Sequence, residues 1–122
     1  MASTYITKEN LYRVGNKTHP KMTNLRIPKD IRTFEKDGEE YVVADGNGIS
    51  VEDFGAHQKT TMSGYTWIIP KGTSFPFGLK LHRKNSDRKG HYYVAPINTM
   101  TKVHFLSLLS LLGNKCVLGR KL

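Results

Sequence analysis

The sequence predicts an α+β fold, and three observations carry that prediction. Short apolar runs bounded by Gly and Pro turn signals recur between Asn10 and Ala95, the mark of strands. A helical pattern replaces them from Thr101 to Leu112. A chain of 122 residues can bury one core but not two, so residues 1–122 are expected to form a single domain with no hinge.

Asn10 to Val14 reads as a short first strand that contains Arg13 and ends at a Gly-Asn turn signal. The stretch "KTHPKMTNLRIPKDIRTFEKDG" carries two prolines and no sustained period, which predicts irregular chain with a brief helical turn at Lys29 to Phe34. In "EEYVVADGNGISVEDFG" a strand at Glu40 to Ala44 meets a glycine-rich turn at Asp45 to Gly48, and Ile49 to Val51 then reads as the return arm of a hairpin, with Ser50 opposite its apolar neighbours. Tyr65 to Ile69 is the clearest strand, closed by Pro70 and a Lys71-Gly72 turn. Leu79 to Arg83 and His91 to Ala95 form an antiparallel pair around a basic turn. Alternation then sets His91, Tyr93 and Ala95 on one face, so His91 either begins a strand at its rim or aims a polar ring into a cleft.

The final helix has an N-cap in Thr99 or Thr101 and a stop signal in Gly113-Asn114. Its polar residues are only His104, Ser107 and Ser110, so most of its surface is expected to be buried by its own domain rather than offered to a partner.

Lys and Arg total 19 against 10 Asp and Glu, a net charge of +9. The excess is lopsided: residues 1–54 are net −1, whereas residues 55–122 carry 11 basic residues against Asp87 alone. Such a field attracts polyanions, whether a phosphate-bearing cofactor, nucleic acid or an acidic protein. A single cysteine, Cys116, excludes an intrachain disulfide and suits a reducing compartment, the cytoplasm by default. No apolar run has the length of a signal peptide core or a membrane span, so any crossing of a membrane would need other machinery. The five histidines lack metal-binding spacing, and "DGNGIS" lacks the order of a phosphate loop. What remains is a scattered set of Arg13, Ser50, Phe54 and His91 for folding to gather.

The pieces "LYR" (11–13), "GISVEDFG" (48–55), "WIIPKGTSFPFGLKL" (67–81) and "HYYVAPINTM" (91–100), followed by a helix, occur in the order found in the Tse-type toxins. The chain resembles this family from Leu11 to Leu112. The resemblance implies a small ADP-ribosyltransferase-like fold, with a mostly antiparallel split β core, edge helices and a C-terminal helix. It further implies a type VI secretion effector that acts on NAD in the cytoplasm of a target cell and is held in check by a cognate acidic immunity protein.

On that resemblance Arg13 clamps the pyrophosphate of NAD, using a planar fork that Lys lacks. Ser50 hydrogen-bonds the nicotinamide ribose or braces the pocket, Phe54 or Tyr65 stacks on a ring, and His91 donates to a ribose or phosphate oxygen or acts as acid or base. Arg13, Ser50 and His91 are the expected catalytic group, with Phe54 and Tyr65 joining them in binding the cofactor. Asp87 is the only acidic residue after Asp53, so no carboxylate is expected to activate an acceptor. An alternative from another class is a nuclease-like or nucleic-acid-binding module in which His82, His91, Lys80, Arg83, Arg88 and Lys89 face a phosphodiester. A third is an interaction protein that docks an acidic partner through its basic face and apolar helix.

Overall fold

A computed structural model describes residues 4–83 and 89–122. Among these, the elements run β1 (Leu11–Gly15), β2 (Thr33–Lys36), β3 (Glu39–Val42), β4 (Ile49–Glu52), α1 (Phe54–His57), β5 (Tyr65–Ile69), β6 (Leu79–His82), β7 (His91–Pro96), β8 (Met100–Thr101), α2 (Lys102–Gly113) and β9 (Val117–Lys121). Six strands form one sheet in the order β6-β7-β4-β1-β5-β9, and β2, β3 and β8 form a second. The pairings within both sheets are antiparallel, which makes the fold α+β.

Alternation along the strands turns one set of side chains into the core. Leu11, Ile49, Val51, Ile69, Leu79 and Val94 turn into the core and meet Val42 from β3 and Phe105, Leu108, Leu109 and Leu112 from α2. The α2 positions recur at helical spacing, so this helix is a core element, as its apolar composition predicts. Each fully buried side chain of this size stabilises by about 1.5–3 kcal/mol, more than the cap contributes. Thr101 supplies that cap, its hydroxyl accepting from the His104 backbone N–H at 3.1 Å. No helix among the described residues is long and apolar enough to cross a membrane.

The strand from Tyr65 to Ile69 has its predicted bounds, and β6 and β7 pair antiparallel as expected, with His82 opposite Tyr93. Two expectations are corrected. The helical turn at Lys29 to Phe34 is absent, because Asp37 and Gly38 take φ values of 53° and 79° and close a two-residue hairpin that makes Thr33–Lys36 a strand. Ile31 is fully buried just before it, and Phe34 stacks on Tyr41 at 5.4 Å. The Asp45 to Gly48 turn does not close a hairpin either: β3 and β4 lie in different sheets. A Cβ on Gly48 would stand 2.0 Å from the Val94 carbonyl oxygen, so this glycine lets the chain cross closely over β7 between the two sheets. Beyond α2 the chain continues as β9, which covers the open edge of β5. Asp53 also caps a short helix, α1.

Candidate functional site

The six-stranded sheet nearly parts between β1 and β4. Their pairing is confined to Tyr12↔Glu52, whereas β1 pairs with β5 through five successive positions. Beside this parting lies an open cleft of about 1160 Å³, lined by residues from β1, the segment between β1 and β2, β4, α1, the segment after α1, and the start of β7. Arg13, Ser50 and His91 all line it, although up to 78 residues separate them along the chain.

Arg13 leaves β1 on the side opposite Tyr12 and reaches back across the gap. Its Nη1 donates to the Ser50 carbonyl at 2.7 Å, its Nε to the Pro20 carbonyl at 3.0 Å and its Nη2 to the Lys21 carbonyl at 3.0 Å. Lys21 adopts φ 57°, a strained value for a non-glycine residue, which allows two successive carbonyls to address one guanidinium. Burial lowers the Arg13 pKa from its ordinary value; Asp30 opposes that shift and Arg26 adds to it. The group stays charged, because guanidinium deprotonates only far above neutral pH. No carboxylate bonds it directly, since Asp30 is held by Arg26 through Nη2 and Nε. Arg13 is therefore a tether across the parted strands, at the edge of the cleft, with two of its five N–H donors outside these three bonds.

Cross-strand register defines the cleft face of the sheet. Tyr12 lies opposite Glu52, Glu52 opposite His91, and Ser50 opposite Tyr93. Ser50 has no side-chain hydrogen bond within the described protein, so its hydroxyl is available to a ligand. The His91 ring rests on Tyr93 at 5.1 Å. The placement of His91 follows from Gly90, which takes φ 82° and brings the chain so close to the α1 cap that a Cβ there would stand 2.5 Å from Asp53 Oδ1. The Asp53 backbone N–H also donates to the Gly90 carbonyl at 2.9 Å. The strand thus opens with Gly-His because the glycine admits the capping carboxylate and the histidine behind it reaches the cleft.

The other expected residues are placed differently. Phe54 begins α1, half exposed, at 5.7 Å from Tyr12 and between Asp53 and Gly55, which both line the cleft. Tyr65 pairs with Gly15 and lies on the sheet face opposite Tyr12, apart from the cleft wall, so a stacking role falls to Tyr12 or Phe54 rather than to Tyr65. His82 is packed against the Asp45 to Gly48 turn, where a Cβ on Gly46 would meet its Nε2 at 2.7 Å, and it is not in the cleft wall. Arg88 and Asp87 lie outside the described residues.

Sequence reasoning missed Glu52 and Tyr12. Glu52 lines the cleft, opposite Tyr12 on one side and His91 on the other, a carboxylate that the sequence reading had not considered for the site. Asp53 serves as the helix cap, accepting from the Ala56 N–H at 2.9 Å, and Asp30 is held by Arg26, so Glu52 is the cleft carboxylate with no hydrogen bond or ion pair among the described residues. The signal was available: Glu52 is two positions after Ser50 on one strand and must share its face. Tyr12 stacks on His57 at 5.1 Å with 13° between the ring planes, and His57 Nε2 meets Thr66 Oγ1 at 2.8 Å, which pins α1 to the sheet.

Comparison of the chain with protein-family models and with curated proteins finds no match.

Proposed function

We propose that this chain is an NAD-using toxin domain with an ADP-ribosyltransferase-like fold, acting in the cytoplasm on a macromolecular acceptor or hydrolysing the dinucleotide. The observation that carries this reading is the meeting of Arg13, Ser50 and His91 around one cleft at the parting of β1 and β4. The volume of about 1160 Å³ exceeds that of most small-molecule sites, leaving room for a dinucleotide and part of an acceptor. The donor set fits the cofactor: a guanidinium with two unused N–H groups for phosphate oxygens, a hydroxyl without a protein partner for a ribose, and an aromatic ring at Tyr12.

NAD supplies a ribose–nicotinamide bond whose cleavage develops positive charge on the sugar. On this reading Glu52 faces that charge, since a carboxylate held in place opposite a developing cation stabilises it without having to reorganise. Glu52 and His91, opposite one another on β4 and β7, are the two groups able to take the proton of an attacking O–H or N–H. Arg13 orients the phosphates from the far side, and Ser50 holds the ribose between the two. A cognate acidic immunity protein and delivery by type VI secretion belong to the same proposal.

Intracellular expression of the wild type should arrest growth, and the purified protein should consume labelled NAD or transfer its label. Arg13→Ala, Ser50→Ala and His91→Ala should each relieve the arrest. A harmless wild type that leaves NAD intact overturns the proposal.

A further inference from the structure

The wall of the cleft between α1 and β5 is made by residues 58–63, "QKTTMS", which offers amide, ammonium and hydroxyl donors and no carboxylate. Lys59 belongs to it, and Lys21 and Lys89 line the same cleft from the segment before β2 and from just before β7. All three are exposed, and none is in an ion pair among the described residues. Two large apolar side chains nearby stand in water: Met62, 60% exposed, in that wall, and Phe54, 56% exposed, at the first position of the one-turn helix α1 that precedes it.

Resting on the NAD reading above, we infer that the acceptor is a single-stranded nucleic acid. Its phosphates would lie along Lys21, Lys59 and Lys89, with an unstacked base against Phe54 and Met62. The composition of the wall favours this partner over an acidic protein. Lysine and serine are depleted at the centre of protein interfaces, whereas Lys, Ser, Thr and Gln are the usual donors to phosphate oxygens. An exposed aromatic beside a cationic track is the pattern by which single strands are held, because every base presents a face for stacking. The transfer balances without another reactant: a base N–H or sugar O–H attacks the ribose C1′, the bond to nicotinamide breaks with its electron pair leaving on nicotinamide, and the displaced proton passes to Glu52 or His91 and then to water.

The test is fluorescence anisotropy with short labelled RNA and DNA single strands, and with a duplex of equal length, over a range of salt from about 50 mM upward. Single strands should bind better than the duplex. Lys59→Ala and Lys89→Ala should each reduce the slope of log affinity against log salt by about 0.7, and Phe54→Ala should weaken binding about tenfold with the slope unchanged. Absence of binding at the lowest salt, slopes unaffected by both lysine changes, or label transferred from NAD only to proteins of a nuclease-treated extract overturns the inference. Calorimetry with NAD alone separates the two claims. Single-strand binding by a protein that neither binds nor consumes NAD upholds the docking surface and removes only the cofactor reading; NAD consumption without strand binding does the reverse.

Discussion

Arg13 Nη1 donates to the backbone carbonyl of Ser50 at 2.7 Å, across the place where β1 and β4 cease to pair. A ladder hydrogen bond joins neighbouring strands with no room between them; a side chain reaching over a gap joins them and leaves an opening. The same guanidinium gathers Pro20 and Lys21 through two further carbonyls, so one residue fixes two edges of the cleft.

Removing it should therefore cost stability as well as activity. Charge-assisted hydrogen bonds contribute about 1.5–3 kcal/mol each and are not additive, so Arg13→Ala is expected to lose about 3 kcal/mol in urea unfolding. Arg13→Lys should recover less than half of that loss, because an ammonium cannot reach three carbonyls held in the plane of a fork. A lysine variant as stable as wild type would show that the charge, and not the fork, holds the strands.

Ser50 and Glu52 should behave in the opposite way. Both present polar groups to the cleft without protein partners, so Ser50→Ala and Glu52→Gln should change stability by no more than about 0.5 kcal/mol. Turnover of NAD is expected to fall by about 10²-fold or more in Glu52→Gln, the range typical of losing a general base or a charge aimed at the reacting centre. Glu52→Gln with full turnover would remove the carboxylate from the mechanism.

The contrast between these residues explains how far the sequence could be read. A strand closed by clear turn signals, such as Tyr65–Ile69, and the capped helix α2 are local patterns, and their positions were legible. Arg13, Ser50 and His91 were legible as polar residues inside apolar runs. The Asp37-Gly38 turn was also written in the chain, but the prolines before it obscured the hairpin. What local pattern does not contain is sheet order. Nothing around Val117–Lys121 specifies that it pairs with β5, and nothing around Asp45–Gly48 specifies a crossing between sheets rather than a hairpin. Those depend on which edges and apolar faces remain uncovered once the rest has folded. Glu52 went unnoticed because its significance lies in its cross-strand neighbours, Tyr12 and His91, rather than in its own segment.

Gly90 supplies a third prediction. Its φ of 82° disfavours any L side chain, and a Cβ would intrude on the Asp53 carboxylate that caps α1. Gly90→Ala should destabilise by about 1–3 kcal/mol through strain and a displaced cap. Because the same contact sets where His91 enters the cleft, turnover should fall further than the unfolded fraction explains. Gly90→Ala with wild-type stability and turnover would mean that α1 and β7 adjust independently.

His57 ties stability to pH. Its ring is buried under Tyr12, and burial lowers its pKa from the usual imidazole value near 6.5; Glu52 opposes that shift and Arg120 adds to it. Nδ1 has no hydrogen-bond partner, so protonation would place a second N–H, together with a charge, where nothing accepts it. Above about pH 6.5 the residue is neutral in both folded and unfolded chains and contributes no pH dependence. As pH falls below that value the unfolded chain takes up the proton first, so stability is lost until pH also passes the lower folded pKa, after which the loss is constant. His57→Phe, which keeps the stack on Tyr12 and cannot titrate, should flatten this part of the profile. Urea midpoints for wild type and variant between about pH 8 and pH 5 measure the difference; the subtraction cancels the other histidines. Parallel profiles would mean that α1 opens to admit the proton at little cost, and that the wall of the cleft beside Phe54 is looser than its packing implies.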